Sequence, residues 1–207
     1  MTEFNNEQEM FWHGTFGDDY IERNKSEQLL AAKLALFADV FKTAEKVDSA
    51  AEFGCNIGLN LRAINLLLPE AQLSGIEINE KAVAQLQAAM PKVNVQRQSI
   101  VDEVDAPSDL TFTVGVLIHI HPDNLPKVYE NLYRNSKRYI LVAEYYNPTP
   151  VSLPYRGHDD KLFKRDFAGD LMAAYNDLRL VDYGFCYHKD TKFPQDDISW
   201  FLLEKRS

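Results

Sequence analysis

The chain is 207 residues long, enough for one domain with a full core, and its 45% hydrophobic and 26% charged content is that of an ordinary globular protein. Its 22 basic side chains are outnumbered by 31 acidic ones, and a net charge of −9 disfavours a duplex nucleic acid or an anionic membrane as partner. The two cysteines, Cys55 and Cys186, lie far apart without a C-x-x-C spacing, which argues for a reducing compartment and against a disulfide framework or a cysteine zinc site.

The opening MTEFNNEQEM has neither a basic region nor an apolar run, so no secretory leader is expected there, and no stretch approaches the roughly 18–20 apolar residues of a membrane span. The expectation is a cytoplasmic, single-domain protein over 1–207, with 1–45 an N-terminal lid or helical segment and 46–207 the core. Residues 11–24, FWHGTFGDDYIERN, are too aromatic for a disordered tail and should pack on something. Ser26 then caps a helix over Glu27–Thr43, in which Leu29, Leu30, Lys33, Leu34, Phe37, Val40 and Phe41 fall largely at helical spacing.

A short strand near Ala50–Phe53 leads into a glycine loop and a helix through Leu61–Leu68, stopped by Pro69. Leu73–Ile78 reads as a strand, Glu80–Met90 as a helix and Val93–Arg97 as a strand. Leu110–Ile118 has buried-strand character, Pro122–Arg134 is a helix with Pro at its start, and Arg138–Glu144 is a further strand. Strands alternating with helices imply crossover units and a parallel sheet covered on both faces. After a helix near Arg165–Asn176, Leu180–Tyr187 and Ile198–Glu204 are strands with no helix between them, so they should pair antiparallel and leave a reversed strand at one sheet edge.

In such a sheet, ligands bind beyond the carboxyl ends of the strands. The stretch EFGCNIGLN, Glu52 to Asn60, sits at that place after the first core strand. A dinucleotide loop needs G-x-G-x-x-G, but aligned on Gly54 the chain offers Asn56 and Leu59 at the other glycine positions. The pattern acid-x-G-x-x-x-G fits instead, with Asn56 as the non-glycine residue that best tolerates a left-handed backbone. Glu52 on the strand suits a positive amino group rather than a diphosphate. Glu77 ends the second strand and can accept hydrogen bonds from both hydroxyls of a ribose.

This set resembles the class I S-adenosylmethionine-dependent methyltransferases over roughly residues 48–205, and GVLIHI, Gly115 to Ile120, is similar to the segment after their fourth strand. The resemblance implies a Rossmann-like α/β fold: a seven-stranded, mostly parallel sheet with an antiparallel C-terminal strand and helices on both faces. It implies S-adenosyl-L-methionine as cofactor. Glu52, Gly54, Cys55, Asn56 and Gly58 would surround the methionyl part, Glu77 the ribose, Ile78, Ser99 and Ile100 the adenine, and Gly115 the sulfonium end. More narrowly, FWHGTFGDDYIERN, YYNPTPVSLPYRGHDDKLFKRDFAGDL and DYGFCYHKD…FPQDDISWFLLEK are similar to methyltransferases associated with pseudaminic acid biosynthesis. That implies a nonulosonic sugar or its precursor as acceptor, methylated at O or N.

Acceptor-side candidates follow. His119 is the candidate base or orienting group; His121, two residues on, lacks the further ligands a metal site needs, and none is expected. Tyr145 and Asn147, in YYNP after the fifth strand, are candidate acceptor-lining residues, with a turn begun by Asn-Pro as the alternative. Arg156, His158 and Lys161 lie in a mixed-charge loop leading to a helix and could complement an anionic sugar. Tyr20 and Arg23 would sit on a lid, with Arg23 toward the cofactor carboxylate. The competing readings are a nicotinamide-dependent oxidoreductase, which the glycine register disfavours, and a non-catalytic cofactor-binding module.

Overall fold

The computed structural model describes residues 7–14, 26–155 and 158–206. The chain begins with α1 (Glu7–His13) and α2 (Glu27–Val40), then β1 (Ser49–Phe53), α3 (Leu59–Leu67), β2 (Gln72–Glu77), α4 (Glu80–Ala89), β3 (Asn94–Arg97) and β4 (Ser108–Val114). After two short 3₁₀ turns come α5 (Leu125–Asn135), β5 (Ser136–Glu144), β6 (Val151–Tyr155), β7 (His158–Lys164), α6 (Phe167–Ala174), β8 (Leu178–Cys186) and β9 (Ile198–Lys205). Helix starts follow local chemistry. The Ser26 hydroxyl accepts from Leu29 N, Asn79 Oδ1 from Ala82 N and Asp166 Oδ1 from Gly169 N, each satisfying a donor that a first helical turn leaves unpaired.

Seven strands form one sheet in the order β3-β2-β1-β4-β5-β9-β8. Pairing from β3 through to β5 is parallel, and β9 runs antiparallel to both β5 and β8. The alternation along each central strand feeds two cores. Tyr139, Leu141 and Ala143 of β5 pack on one face with Phe37, Leu61 and Trp200, while Ile140 and Val142 pack on the other with Val128, Leu132 and Leu203. No helix among the described residues is long and apolar enough to cross a membrane.

Four expectations need correction. The reversed strand is not at the edge: β9 inserts between β5 and β8, so the edge strand β8 runs with the parallel set. The apolar run Leu110–Ile118 is not one strand, because β4 stops at Val114, Gly115 takes φ 68°, and Leu117–His119 coil into a 3₁₀ turn. From His158 to Lys164 the mixed-charge segment is not a loop but the strand β7, paired antiparallel with β6 as its own two-stranded sheet. In addition, Pro122–Asn124 form a 3₁₀ turn ahead of α5 rather than its first turn.

Candidate functional site

The carboxyl ends of β1, β2 and β4 open into one cavity. At its floor is Glu52, on a strand whose five residues are all buried. Its Oε1 accepts from Asn60 Nδ2 at 2.6 Å, but its Oε2 is buried with no hydrogen-bond partner among the described residues. Burial pushes the carboxyl up to about 8, opposed by the Asn60 hydrogen bond and the charge of Lys33, and assisted by Glu77. Lys33 reaches the same cavity from α2, where its Nζ donates to Gln195 Oε1 at 2.9 Å. Burial lowers the pKa of this amine, and the charge of Glu52 is the first of the influences that hold it up. An acid and an amine side chain thus face one space, the pair of groups that an amino-acid zwitterion would meet.

The loop after β1 takes the shape that its odd sequence allows. Gly54, Asn56 and Gly58 all have left-handed backbones, with φ of 83°, 47° and 79°. A Cβ on Gly54 would lie 2.7 Å from Val116 Cγ1, and one on Gly58 would collide with Leu86 Cδ1, so both positions require glycine on two counts. Asn56 accepts the left-handed conformation and keeps a loop contact, its backbone N donating to Glu77 Oε2 at 2.7 Å. The other oxygen of Glu77 accepts from Asn79 N at 2.8 Å. Burial raises the Glu77 pKa while these N–H donors counter it, so the carboxylate is fixed in direction and lines the cavity. Cys55 lines the same loop, its thiol pushed up by burial.

Across the cavity, the turn after β4 is fixed by a residue of β5. Glu144 is buried, and its carboxylate accepts from Val116 N (3.0 Å), Leu117 N (3.1 Å) and Ile118 N (3.4 Å). Burial pushes this group up to about 7 against those three donors. The turn it holds presents Gly115 and His119 to the cavity. A Cβ on Gly115 would meet nothing within 4 Å, so the space beside it is open. The ring of His119 packs on Trp12 of α1, with centroids 4.7 Å apart. His121 also lines the cavity, its ring edge-on to Phe163 of the hairpin at 5.8 Å.

No protein-family model matches the chain, and no curated protein matches its sequence at a significant level. Solved structures do. The magnesium protoporphyrin IX methyltransferase of Synechocystis PCC 6803 with bound S-adenosylhomocysteine superposes with a TM-score of 0.69 at 14% identity, over 97% of this chain and 100% of that one. The plantazolicin methyltransferase BpumL, also in complex with S-adenosylhomocysteine, gives 0.66 at 14% identity, over 97% and 94%. TehB of Haemophilus influenzae gives 0.62 at 18% identity over 83% of this chain, which spans 62% of TehB. The fold is that of the class I S-adenosylmethionine-dependent methyltransferases.

Within this methyltransferase fold, Glu52, Gly54, Cys55, Asn56, Glu77, Ile78, Ser99, Ile100, Gly115 and His119 all line one cavity, whereas Gly58 is not among its lining residues and sits at the start of α3, close to Leu86. Tyr145 and Asn147 stand apart from it. Tyr145 packs into the core under Lys164, and the Asn147 amide is turned back onto Thr149 O at 2.6 Å, so the Asn-Pro stretch forms a turn. Tyr20, Arg23 and Arg156 lie outside the described residues, and His158 and Lys161 are described only as backbone in β7. Among the cavity residues that the sequence reading did not assign to the site are Glu9, Trp12 and Lys33. Lys33 left a signal, since it interrupts an otherwise apolar helix face, and a lysine at an inward position needs a partner. Glu9 and Trp12 left none beyond the aromatic content of their segment.

Proposed function

We propose that this chain is a methyltransferase using S-adenosyl-L-methionine to methylate an oxygen or nitrogen of a small polar acceptor, in a reducing cytoplasm. The observation that carries the reading is the buried Oε2 of Glu52, without a hydrogen-bond partner among the described residues, in a cavity that Lys33 also lines. A buried acid without a donor is unfavourable unless a ligand supplies one, and an α-ammonium does so. Glu52 would take that ammonium, Lys33 the adjoining carboxylate, and the fixed oxygens of Glu77 the ribose hydroxyls. When bound, the cofactor supplies an electrophilic methyl group on a sulfonium.

The chain's own task is then to position an acceptor, and orientation alone is worth on the order of 7–11 kcal/mol. Gly115 leaves open space at the transfer end, and His119, held by a turn that Glu144 caps, offers a ring nitrogen to orient the acceptor or take its proton. For the acceptor we favour a nonulosonic, pseudaminic-type sugar or its precursor, on the likeness of the aromatic terminal segments to that family. The test is calorimetric titration with S-adenosylmethionine, S-adenosylhomocysteine and NAD, followed by an acceptor screen over nonulosonic acids, their nucleotide-activated forms and amidino derivatives, read by mass increase. Tight binding of NAD alone would sink the methyltransferase reading. Methylation of some other small molecule, with every sugar inert, would overturn the acceptor assignment.

A further inference from the structure

α1 roofs the cavity, and it brings a carboxylate to the end of the cleft where the strand ends offer none. Glu9 is buried, and its Oε1 accepts from Ser99 Oγ at 2.6 Å at the end of β3. The other end of the helix is tied to the residue after Ile78: Asn79 Nδ2 donates to the carbonyls of Trp12 (3.2 Å) and His13 (3.4 Å). Trp12 packs on His119 after β4. One seven-residue helix therefore touches the ends of β2, β3 and β4 together.

We propose that Glu9 reads the amino edge of the adenine of the methyl donor, so that the nucleoside itself holds α1 in place as a lid. The inference rests on the cofactor reading given above. A ribose seated on Glu77 sends its base away from Glu52 toward β3, where Ile78 and Ile100 offer apolar faces. The exocyclic amine on that base has two N–H donors and needs an acceptor. Ser99 Oγ is engaged, donating to Glu9 and accepting from Val101 N at 3.1 Å. Glu9, Glu52 and Glu77 are the acidic residues lining the cavity among the described ones, and the other two lie at the methionyl and ribose positions. A carboxylate facing an amine is favourable, whereas facing the oxo group of hypoxanthine it sets two acceptors against each other. Glu9 thereby makes the pocket choose adenine, and the bound nucleoside holds α1 where Trp12 packs on His119 at the acceptor side.

The experiment is calorimetric titration of S-adenosylhomocysteine and S-inosylhomocysteine into the full chain and its Glu9→Gln and Glu9→Ala variants, with hydrogen exchange across residues 7–14. The wild type should bind the adenosyl compound at least about tenfold more tightly than the inosyl one, the scale of one charge-assisted hydrogen bond. Glu9→Ala should weaken the adenosyl compound by about tenfold or more and leave the inosyl compound within about threefold. Glu9→Gln, whose amide can donate as well as accept, should bring the two ligands together. In the wild type, exchange across α1 should slow with the adenosyl ligand and much less with the inosyl one. Equal losses for both ligands, or an unchanged adenosyl affinity, would overturn the amino-edge role, and equal exchange with and without ligand would overturn the lid. A wild type that binds neither compound would refute the cofactor reading instead.

Discussion

Glu52→Gln should make the empty protein more stable and the cofactor pocket useless. The side chain is fully buried, and its carboxyl is pushed from an ordinary 4.5 up to about 8. Between those values the unfolded chain has ionised the group while the folded chain still holds the proton, so folding stability falls as pH rises. Each unit is worth about 1.4 kcal/mol, which makes the loss on the order of 5 kcal/mol by pH 8 and only about 1 kcal/mol at pH 5.5. Glutamine keeps an oxygen for Asn60 and carries no charge, so it escapes this loss, less whatever attraction to Lys33 disappears. For a chain of this size about 1 kcal/mol moves Tm by roughly 2–4 °C, so the variant's advantage should widen by at least about 5 °C between pH 5.5 and pH 8. Thermal melts at the two pH values, without ligand, measure it. Calorimetry completes the test. At pH 7 the wild type should release close to one proton as S-adenosylmethionine binds, seen as a binding enthalpy that tracks the ionisation enthalpy of the buffer. Glu52→Gln should bind at least about tenfold more weakly and lose that buffer dependence. A Tm difference that does not change with pH, or a variant that binds as tightly as the wild type, would refute the reasoning.

Three further substitutions separate shape from chemistry. Gly115→Ala meets open space but an unfavourable φ of 68°, so Tm should fall by only a few degrees while S-adenosylhomocysteine affinity drops about tenfold or more; unchanged affinity would mean that the glycine serves the backbone alone. Lys33→Met should weaken S-adenosylhomocysteine by about tenfold yet leave 5′-methylthioadenosine, which lacks the amino-acid part, within about twofold; parallel losses would remove Lys33 as a carboxylate ligand. Glu144→Ala strips the acceptor from three backbone N–H groups, at about 2–4 kcal/mol, and should lower Tm at pH 8 by at least about 5 °C; a smaller drop would show that water caps the turn equally well.

What could be read from the chain was whatever depends on neighbours in sequence. Glu52 lies on the first core strand and Glu77 ends the second, and the glycines between Glu52 and the next helix fix where the chain must turn, so the loop, the acids and the alternation of strands with helices were visible together. Lys33 and Glu9 depend on contacts across 162 and 90 residues, to Gln195 and Ser99, and no local pattern encodes those. The apolar run Leu110–Ile118 misled because a buried strand and a buried turn are equally hydrophobic, and only the left-handed Gly115 separates them. Likewise, Leu180–Tyr187 and Ile198–Glu204 declare a hairpin by adjacency, but which of the two sits beside β5 is decided by the six-residue register of β9 on β5, a tertiary fact.

The three buried acids around the cavity and its β4 turn are held in different ways, and the difference bears on the proposed ligand position. All three carry carboxyls raised by burial. Glu144 spends its oxygens on the backbone of the turn after β4, so the donors that offset its burial lie within the fold. Glu77 takes one N–H on each oxygen from the loop and from Asn79, which aims its remaining lone pairs without exhausting them. Glu52 has one oxygen answered by Asn60 and one by nothing among the described residues. A fold selected for stability alone would fill that position with an apolar side chain, as Ala51 and Phe53 are on either side of it. Lys33 answers part of that deficit from within the fold, and in the proposed reading a cationic amino group arriving from outside would relieve the rest.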